Sequence, residues 1–104
     1  MKLVEITPRR KAPLYGALVR READIRSRGR GTFARHGRTR AGSATWRHKR
    51  FKGTVNLQRQ DAEQVSAKIR SSRPDDEGSL LKAFLGFIDR HCGNQVETIT
   101  IHYR

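Results

Sequence analysis

One apolar stretch near the C-terminus decides the fold: Leu80-Leu81-Lys82-Ala83-Phe84-Leu85-Gly86-Phe87-Ile88. Its large apolar residues recur at spacings of three and four, the pattern of a helix with one broad apolar face. Asp75, Asp76 and Glu77 precede it, where negative charge favours a helix start, and Gly93 follows as a typical helix stop. The stretch therefore predicts a helix of about four turns that packs against a sheet.

Alternating residues on both sides of this helix predict the strands of the sheet. Residues 51–57 and 96–103 place their large apolar side chains mainly at alternate positions, as strands with one buried face do. Residues 61–70 allow two interpretations, a strand in a hairpin or a helix capped by Asp61. We favour the hairpin, because the apolar residues from Val65 to Ile69 alternate with polar ones.

These elements predict an α+β fold in one domain. A small, mainly antiparallel sheet with a ββαβ core packs on one amphipathic helix, and Leu3–Ile6 offers an extra N-terminal strand. We divide the chain into an N-terminal strand and irregular segment (1–25), an Arg/Gly-rich flexible loop or arm (26–45) and the α+β core (46–104). The sequence does not decide whether Leu14–Ile25 forms a helix or a strand.

Charge is concentrated in the middle of the chain. Residues 25–60 contain eleven Lys and Arg residues and no Asp or Glu, within a chain of formal net charge +13. Residues 26–44 contain a single large apolar residue, Phe33, so this stretch buries too little surface to offset the entropy of ordering it. Such a cationic block attracts polyanions whatever fold lies beneath it.

The C-terminal part resembles a group of small bacterial proteins. The residues that carry the likeness are Trp46, Lys52-Gly53, residues 65–71, residues 80–91 and residues 99–103. They resemble small uncharacterised bacterial proteins of the kind carried on mobile elements and in integron cassettes. The likeness covers about the last sixty residues and leaves the Arg/Gly-rich stretch outside. No activity is attached to that group, so it implies no functional residues here.

The basic tract predicts a nucleic-acid contact without catalysis. Arginine meets phosphates through a planar fork of donors and stacks on bases, and interspersed aromatic residues add stacking on unpaired bases. RNA or single-stranded DNA is the expected partner, because no predicted helix carries the charge. The predicted contact residues are Arg26, Arg28, Arg30, Arg35, Arg38, Arg40, Trp46, Arg47, Lys49, Arg50 and Lys52. The alternative is a protein-interaction or accessory module with a solvated basic arm.

Catalysis is the least favoured interpretation. A basic ribonuclease of a toxin-like kind needs a histidine for proton transfer and a cation for the developing charge, and His48 and His102 are the candidates. We assign no catalytic residue. The four histidines and Cys92 lack zinc spacing, so we expect no metal and no other cofactor.

Composition also bears on location and assembly. A single cysteine allows no intrachain disulfide, the first residues do not form a signal-peptide apolar region, and no apolar run approaches a membrane span. These features predict a cytoplasmic protein without a membrane partner. The edge of the predicted sheet would also allow a homodimer.

Overall fold

A computed structural model describes all of residues 1–104. One sheet contains six strands: β1 (Lys2–Pro8), β2 (Phe33–Arg35), β3 (Ser43–His48), β4 (Thr54–Arg59), β5 (Val65–Arg70) and β6 (Val96–Tyr103). Two helices accompany it: α1 (Leu14–Ser27) and α2 (Pro74–Cys92). The predicted α+β class is confirmed.

The strands lie in the order β2-β3-β4-β5-β1-β6, and every neighbouring pair is antiparallel. Strands β2 to β5 follow one another as hairpins. Strand β1 pairs with both β5 and β6, so the N-terminal strand lies inside the sheet rather than beside it. The predicted hairpin of β4 and β5 is confirmed, and residues 61–63 form only a 3₁₀ turn between its strands.

The sheet has one buried face and one polar face. Alternate residues of each central strand are buried, as in Val55 and Leu57 of β4 and Val65, Ala67 and Ile69 of β5. These side chains join the apolar residues of both helices in one core. The helices therefore cover one face of the sheet and leave the other face, with its polar side chains, uncovered.

Helix α2 has the features that its sequence predicts. Pro74 occupies the first turn, where its missing N–H leaves no hydrogen bond unmade, and the three acids of residues 75–77 follow in that same turn. Leu80, Phe84 and Ile88 are almost completely buried against the sheet. Each side chain of this kind contributes about 1.5–3 kcal/mol through its burial.

The sheet packs on two helices rather than the one predicted. The segment left open between helix and strand is α1, with Leu14, Tyr15 and Leu18 buried along one side. Their helical spacing places three large side chains in the core. The free energy gained by burying them exceeds the cost of about 1 kcal/mol for Gly16 inside a helix.

Residues 26–45, which the sequence predicts to be a flexible loop or arm, include parts of three secondary-structure elements. This segment contains the end of α1, the whole of β2 and the start of β3. Phe33 anchors it, since its ring is 4% exposed and lies 5.9 Å from the Trp46 ring and 6.2 Å from the Phe87 ring, between centroids. One well-packed aromatic residue and the pairing of β2 with β3 therefore order a stretch that is otherwise polar.

No helix of the protein is both long enough and apolar enough to cross a membrane.

Candidate nucleic-acid interface

Four of the predicted contact residues come together at the end of β3 and in the loop between β3 and β4. Arg47, Lys49, Arg50 and Lys52 line one shallow pocket there, and no acidic side chain lines it with them. None of the four forms an ion pair with an acidic residue. Positive charge is therefore concentrated at this loop, and none of its cationic side chains is paired with an acid.

The loop is held by its own aromatic residues. The His48 ring stacks on the Phe51 ring with 4.7 Å between centroids, and the Arg50 guanidinium lies 5.9 Å from the Phe51 centroid. The backbone N–H of Arg50 donates to His48 Nδ1 over 3.0 Å. Burial, reinforced by the charge of Arg50, lowers the pKa of His48 below its ordinary 6.5. His48 is therefore neutral at pH 7 and keeps Nδ1 free to accept this bond.

Two further contacts fix the loop on the sheet and on α2. The backbone N–H of Lys52 donates to Asp76 Oδ2 over 3.1 Å, so this acid of the first helical turn holds the loop backbone. Gly53 has φ 128°, and a Cβ at this position would lie 2.2 Å from the carbonyl oxygen of Arg70. Only glycine allows the chain to enter β4 so close to the end of β5.

The loop between α1 and β2 lies beside the β3–β4 loop. The backbone N–H of Lys49 donates to the carbonyl oxygen of Thr32 over 2.9 Å, which joins the two loops. Arg30 is exposed there and forms no ion pair. We call the surface formed by Arg30, Arg47, Lys49, Arg50 and Lys52 the basic end of the sheet.

Two other predicted contact residues are already paired. Arg26 Nε lies 2.8 Å from Glu22 Oε2, and Arg28 Nη2 lies 3.3 Å from Asp24 Oδ2, each one helical turn apart. Both acids belong to α1 and precede the acid-free block of the sequence. Arg26 and Arg28 therefore bring less net charge to a ligand than the sequence suggests.

Two predicted residues, Arg38 and Arg40, lie at the other end of β3, whereas Arg35 of β2 pairs with Trp46 and so lies next to Arg47. They are exposed in and beside the β2–β3 hairpin, where the Arg40 carbonyl accepts a bond of 2.8 Å from the Tyr15 hydroxyl. Ser43, whose carbonyl accepts the N–H of Arg40, lies four residues before Arg47 in β3, so about 14 Å separates this hairpin from the basic end at ~3.4 Å per residue. The predicted contact residues thus form two groups rather than one continuous tract.

The prediction that Trp46 contacts the ligand is wrong. Its side chain is 1% exposed and packs with Phe33, Phe84 and Phe87 inside the core. Trp46 alternates with the exposed Arg47 along β3, so the indole points to the helices and the guanidinium to the other side. The half-buried Phe51 is the aromatic residue beside these cations, and one face of its ring stacks on His48.

The uncovered face of the sheet adds residues that the sequence interpretation missed. Arg70 pairs with Thr54 and Lys68 pairs with Asn56, on the same face as Arg47. The Asn56 amide donates to the Thr45 hydroxyl over 2.9 Å. The polar positions of β4 and β5 were the available signal, because in a sheet covered on one side they form a single surface.

The two histidines considered for RNA cleavage do not share a site. His48 belongs to β3 and His102 to β6, and three strands lie between them, so they are about 19 Å apart at ~4.8 Å per strand. His102 Nε2 lies 2.9 Å from Glu5 Oε1. No group of three or more His, Cys, Asp or Glu side chains is placed to hold a metal ion.

A comparison of the chain with known proteins finds no matching family model, no matching curated protein and no matching solved structure. The likeness to mobile-element proteins stays a prediction, and function has to be inferred from the geometry of the site.

Proposed function

We propose that this protein binds single-stranded nucleic acid, RNA or single-stranded DNA, without cleaving it. The observation that carries the proposal is the basic end, where one cation at the end of β3 and four cations on two loops have no acidic ion-pair partner. The bond from Lys49 to Thr32 joins the two loops. The ligand is a polyanion because only repeated negative charges match such a row of cations.

Electrostatic repulsion supports a bound polyanion. Two unit charges 8 Å apart in water repel each other by about 0.5 kcal/mol, and the basic end gathers several such pairs. A phosphate placed between two cations replaces this repulsion with attraction and releases counterions. The arginines can also hold a phosphate through two parallel hydrogen bonds.

The shape of the site favours single strands over duplexes. Sequence readout of duplex DNA places a helix or a two-stranded ribbon in the major groove, whereas these cations lie on loops at one end of an open sheet. An uncovered sheet face with amide and hydroxyl groups, such as Asn56 and Thr45, can hydrogen-bond the edges of unpaired bases. Phe51 is the ring available for stacking.

A salt series with matched variants tests the proposal. The variant R47Q/K49Q/R50Q/K52Q removes four charges from the basic end, and R10Q/K11Q/R20Q/K82Q removes four exposed charges from other elements. Binding of fluorescent single-stranded RNA and of matched duplex DNA is measured at several salt concentrations. We expect tighter binding of the single strand and a plot of log K against log salt that is shallower by about 3 for the first variant.

Three outcomes would contradict the proposal. They are no binding by the native protein near physiological salt, equal losses in the two variants, and tighter binding of the duplex. Cleavage of the labelled RNA by the pure protein would contradict the non-catalytic part. Thermal melting of both variants confirms that they are folded.

The free edge of β6 favours a homodimer as part of this proposal. Ile99 is 37% exposed and Tyr103 is 71% exposed, and both lie on this eight-residue edge strand. Antiparallel pairing of β6 with the β6 of a second copy would cover both residues. Sedimentation should then give twice the chain mass of 11.9 kDa, and I99K but not T98K should give the monomer. A monomeric native protein would contradict this part alone.

A further inference from the structure

A cleft of about 380 Å³ opens between α1, the α1–β2 loop and the C-terminal end of α2. Its floor is apolar, formed by Ile25, Phe33 and Phe87, and its rim carries arginines. This volume lies at the lower end of the range of ligand pockets, which is about 300–1,000 Å³. The cleft is thus suited to one small ligand with a planar part and a negative part.

The rim supplies three arginines without an acidic partner. Arg21, Arg30 and Arg90 come from α1, the α1–β2 loop and α2, and none of them forms an ion pair. Arg21 Nε donates to His91 Nδ1 over 3.3 Å, which turns its guanidinium towards the end of α2. His91 also packs on the Phe87 ring, with 4.7 Å between centroids. Cations from three elements that converge on one opening are the arrangement that holds a phosphate.

A buried carboxylate provides a second, independent feature. Glu22 lines the cleft and is 3% exposed. Its Oε2 accepts from Arg26 Nε over 2.8 Å, which leaves Oε1 as the carboxylate oxygen that a ligand could contact. A ligand that supplies an N–H to Oε1 would form a charge-assisted hydrogen bond with a carboxylate that is largely shielded from water.

We propose that this cleft binds one guanine nucleotide, and this inference deepens the proposed function and rests on it. The phosphate contacts Arg21, Arg30 and Arg90, the base lies on the apolar floor, and its Watson–Crick edge donates to Glu22 Oε1. Guanine presents two adjacent donors, N1–H and the N2 amino group, to a carboxylate. Uracil presents one N–H between two carbonyl oxygens, which repel the carboxylate.

The same nucleotide could come from two sources. Arg30 belongs both to the cleft and to the basic end, and the bond from Lys49 to Thr32 places the two surfaces side by side. A strand held at the basic end can therefore place a terminal or unstacked guanine nucleotide in the cleft. A free guanine mononucleotide has the same chemistry, and the experiment distinguishes the two.

Calorimetric titration of the full chain with 5′-GMP, 5′-IMP, 5′-UMP and guanosine tests the cleft. We expect 5′-GMP to bind at least about tenfold more tightly than 5′-UMP, because a hydrogen-bonded base edge discriminates at this level. 5′-IMP, which lacks the N2 amino group, should fall between them. R21Q/R90Q should weaken 5′-GMP but not guanosine, and R20Q/K82Q, which removes one charge from each of the same helices, should change neither.

A Glu22 variant and two RNA ligands complete the test. Glu22→Gln should abolish the preference for 5′-GMP over 5′-UMP, and the ligand series above decides the same point if this variant does not fold. Equal affinity for the three nucleotides, or 5′-GMP binding unchanged in R21Q/R90Q, would overturn the cleft proposal. Tighter binding of RNA with a 5′ guanosine end than with a 5′ uridine end identifies the strand as the source.

The remaining outcomes separate this inference from the proposed function. RNA binding that depends on the basic end, with no binding of 5′-GMP and no preference for a guanosine end, would overturn the cleft and leave the proposed function standing. Binding of 5′-GMP without binding of RNA would overturn the proposed function and leave the cleft as a site for the free nucleotide.

Discussion

The backbone N–H of Lys49 donates to the carbonyl oxygen of Thr32 over 2.9 Å, although seventeen positions separate the two residues in the chain. This bond continues the pairing of β2 with β3 beyond Phe33 and His48. It holds the α1–β2 loop against the β3–β4 loop, and so brings Arg30 beside the cations of the second loop. The basic end therefore depends on the position of a short edge strand, which in turn depends on the burial of Phe33.

Replacement of Phe33 should disrupt both the core and the basic end. Phe33→Ala removes a ring that is 4% exposed, and we expect the free energy of unfolding to fall by about 3–5 kcal/mol. Urea denaturation measures this loss, and hydrogen exchange of the Lys49 amide should become faster as β2 loosens. Phe51→Ala, at a half-buried ring in the β3–β4 loop, is the matched control and should cost clearly less. Equal losses in the two variants would contradict the anchoring role of Phe33.

Any residue with a side chain should destabilise the protein at Gly53, the position just before β4. A Cβ there would lie 2.2 Å from the carbonyl oxygen of Arg70, and the φ of 128° is unfavourable for any residue with a side chain. We expect Gly53→Ala to lower the free energy of unfolding by more than about 3 kcal/mol, as the clash adds to the backbone strain.

Gly37 provides the control for that substitution. It also has a positive φ, 78°, but a Cβ there would meet no atom within 4 Å. Gly37→Ala should therefore cost only the backbone strain of about 1 kcal/mol. Thermal unfolding of both variants compares the two costs, and a loss at Gly37 as large as that at Gly53 would show that contact with Arg70 is not the cause.

The sequence predicts best those elements whose apolar pattern is local. Helix α2 and strands β4, β5 and β6 carry their periodicity within one continuous stretch, and all four were predicted. Strands β2 and β3 were missed, because Phe33 and Trp46 stand among polar residues and are buried only by contact with Phe84 and Phe87. Such contacts between distant positions leave no periodic signal in the chain.

The candidate site was predicted in its charge and not in its arrangement. The absence of acids from residues 25–60 is visible in the sequence, and in the structure part of this stretch forms the basic end. The separation of the β2–β3 hairpin from that end, and the approach of Arg21 and Arg90 to Arg30, follow from strand order and helix packing. Trp46 was assigned to the site because aromatic residues within a basic tract suit stacking, but alternation along β3 turns its ring to the core.

Acidification should loosen the β3–β4 loop through His48. Burial and the charge of Arg50 lower the pKa of His48 in the folded protein below its ordinary 6.5, so the unfolded chain takes up a proton first as pH falls. The stability that neutral His48 provides is therefore complete above pH 6.5 and is lost as pH falls from there towards the folded pKa. The protonated ring can no longer accept the N–H of Arg50 at Nδ1.

Chemical denaturation between pH 7.5 and 5.5 measures this effect. His48→Asn retains an acceptor for the Arg50 N–H and removes the titration, so its unfolding free energy should vary less with pH than that of the native protein. Burial, with the nearby charges of Arg21 and Arg90, also lowers the pKa of His91, so His91→Asn should remove a separate part of the same slope. A slope unchanged by His48→Asn would contradict the role of this residue.

The burial of Trp46 predicts separate effects on folding and on binding. Trp46→Phe should lower the free energy of unfolding by about 1–3 kcal/mol, because the smaller ring leaves a gap beside Phe87. The affinity of the folded variant for single-stranded RNA should remain that of the native protein. A stacking role would instead give weaker binding without loss of stability, and it would give quenching of the indole fluorescence by iodide, which a side chain 1% exposed should resist.

The arginines of the β2–β3 hairpin should contribute only to the binding of long nucleic-acid strands, whereas those of the basic end should contribute to the binding of short and long ones. About 14 Å of β3, from Ser43 beside Arg40 to Arg47, separates the hairpin arginines from the basic end, and this distance exceeds the screening length of about 8 Å at physiological salt. A tetranucleotide held at the basic end would not reach the hairpin, whereas a strand of about sixteen nucleotides would. R38Q/R40Q should therefore leave tetranucleotide binding unchanged and weaken binding of the longer strand.

R47Q/R50Q, with the same loss of charge, should weaken binding of both ligands. Fluorescence anisotropy with the two oligonucleotides at one salt concentration provides the comparison. Equal effects of the two variants on the tetranucleotide would indicate a diffuse attraction that depends on net charge alone. Loss of tetranucleotide affinity in R47Q/R50Q alone would show that the short strand binds at the β3–β4 loop. His48 and Phe51 hold this loop in place, and its cations lie close enough together to contact neighbouring phosphates of one short strand.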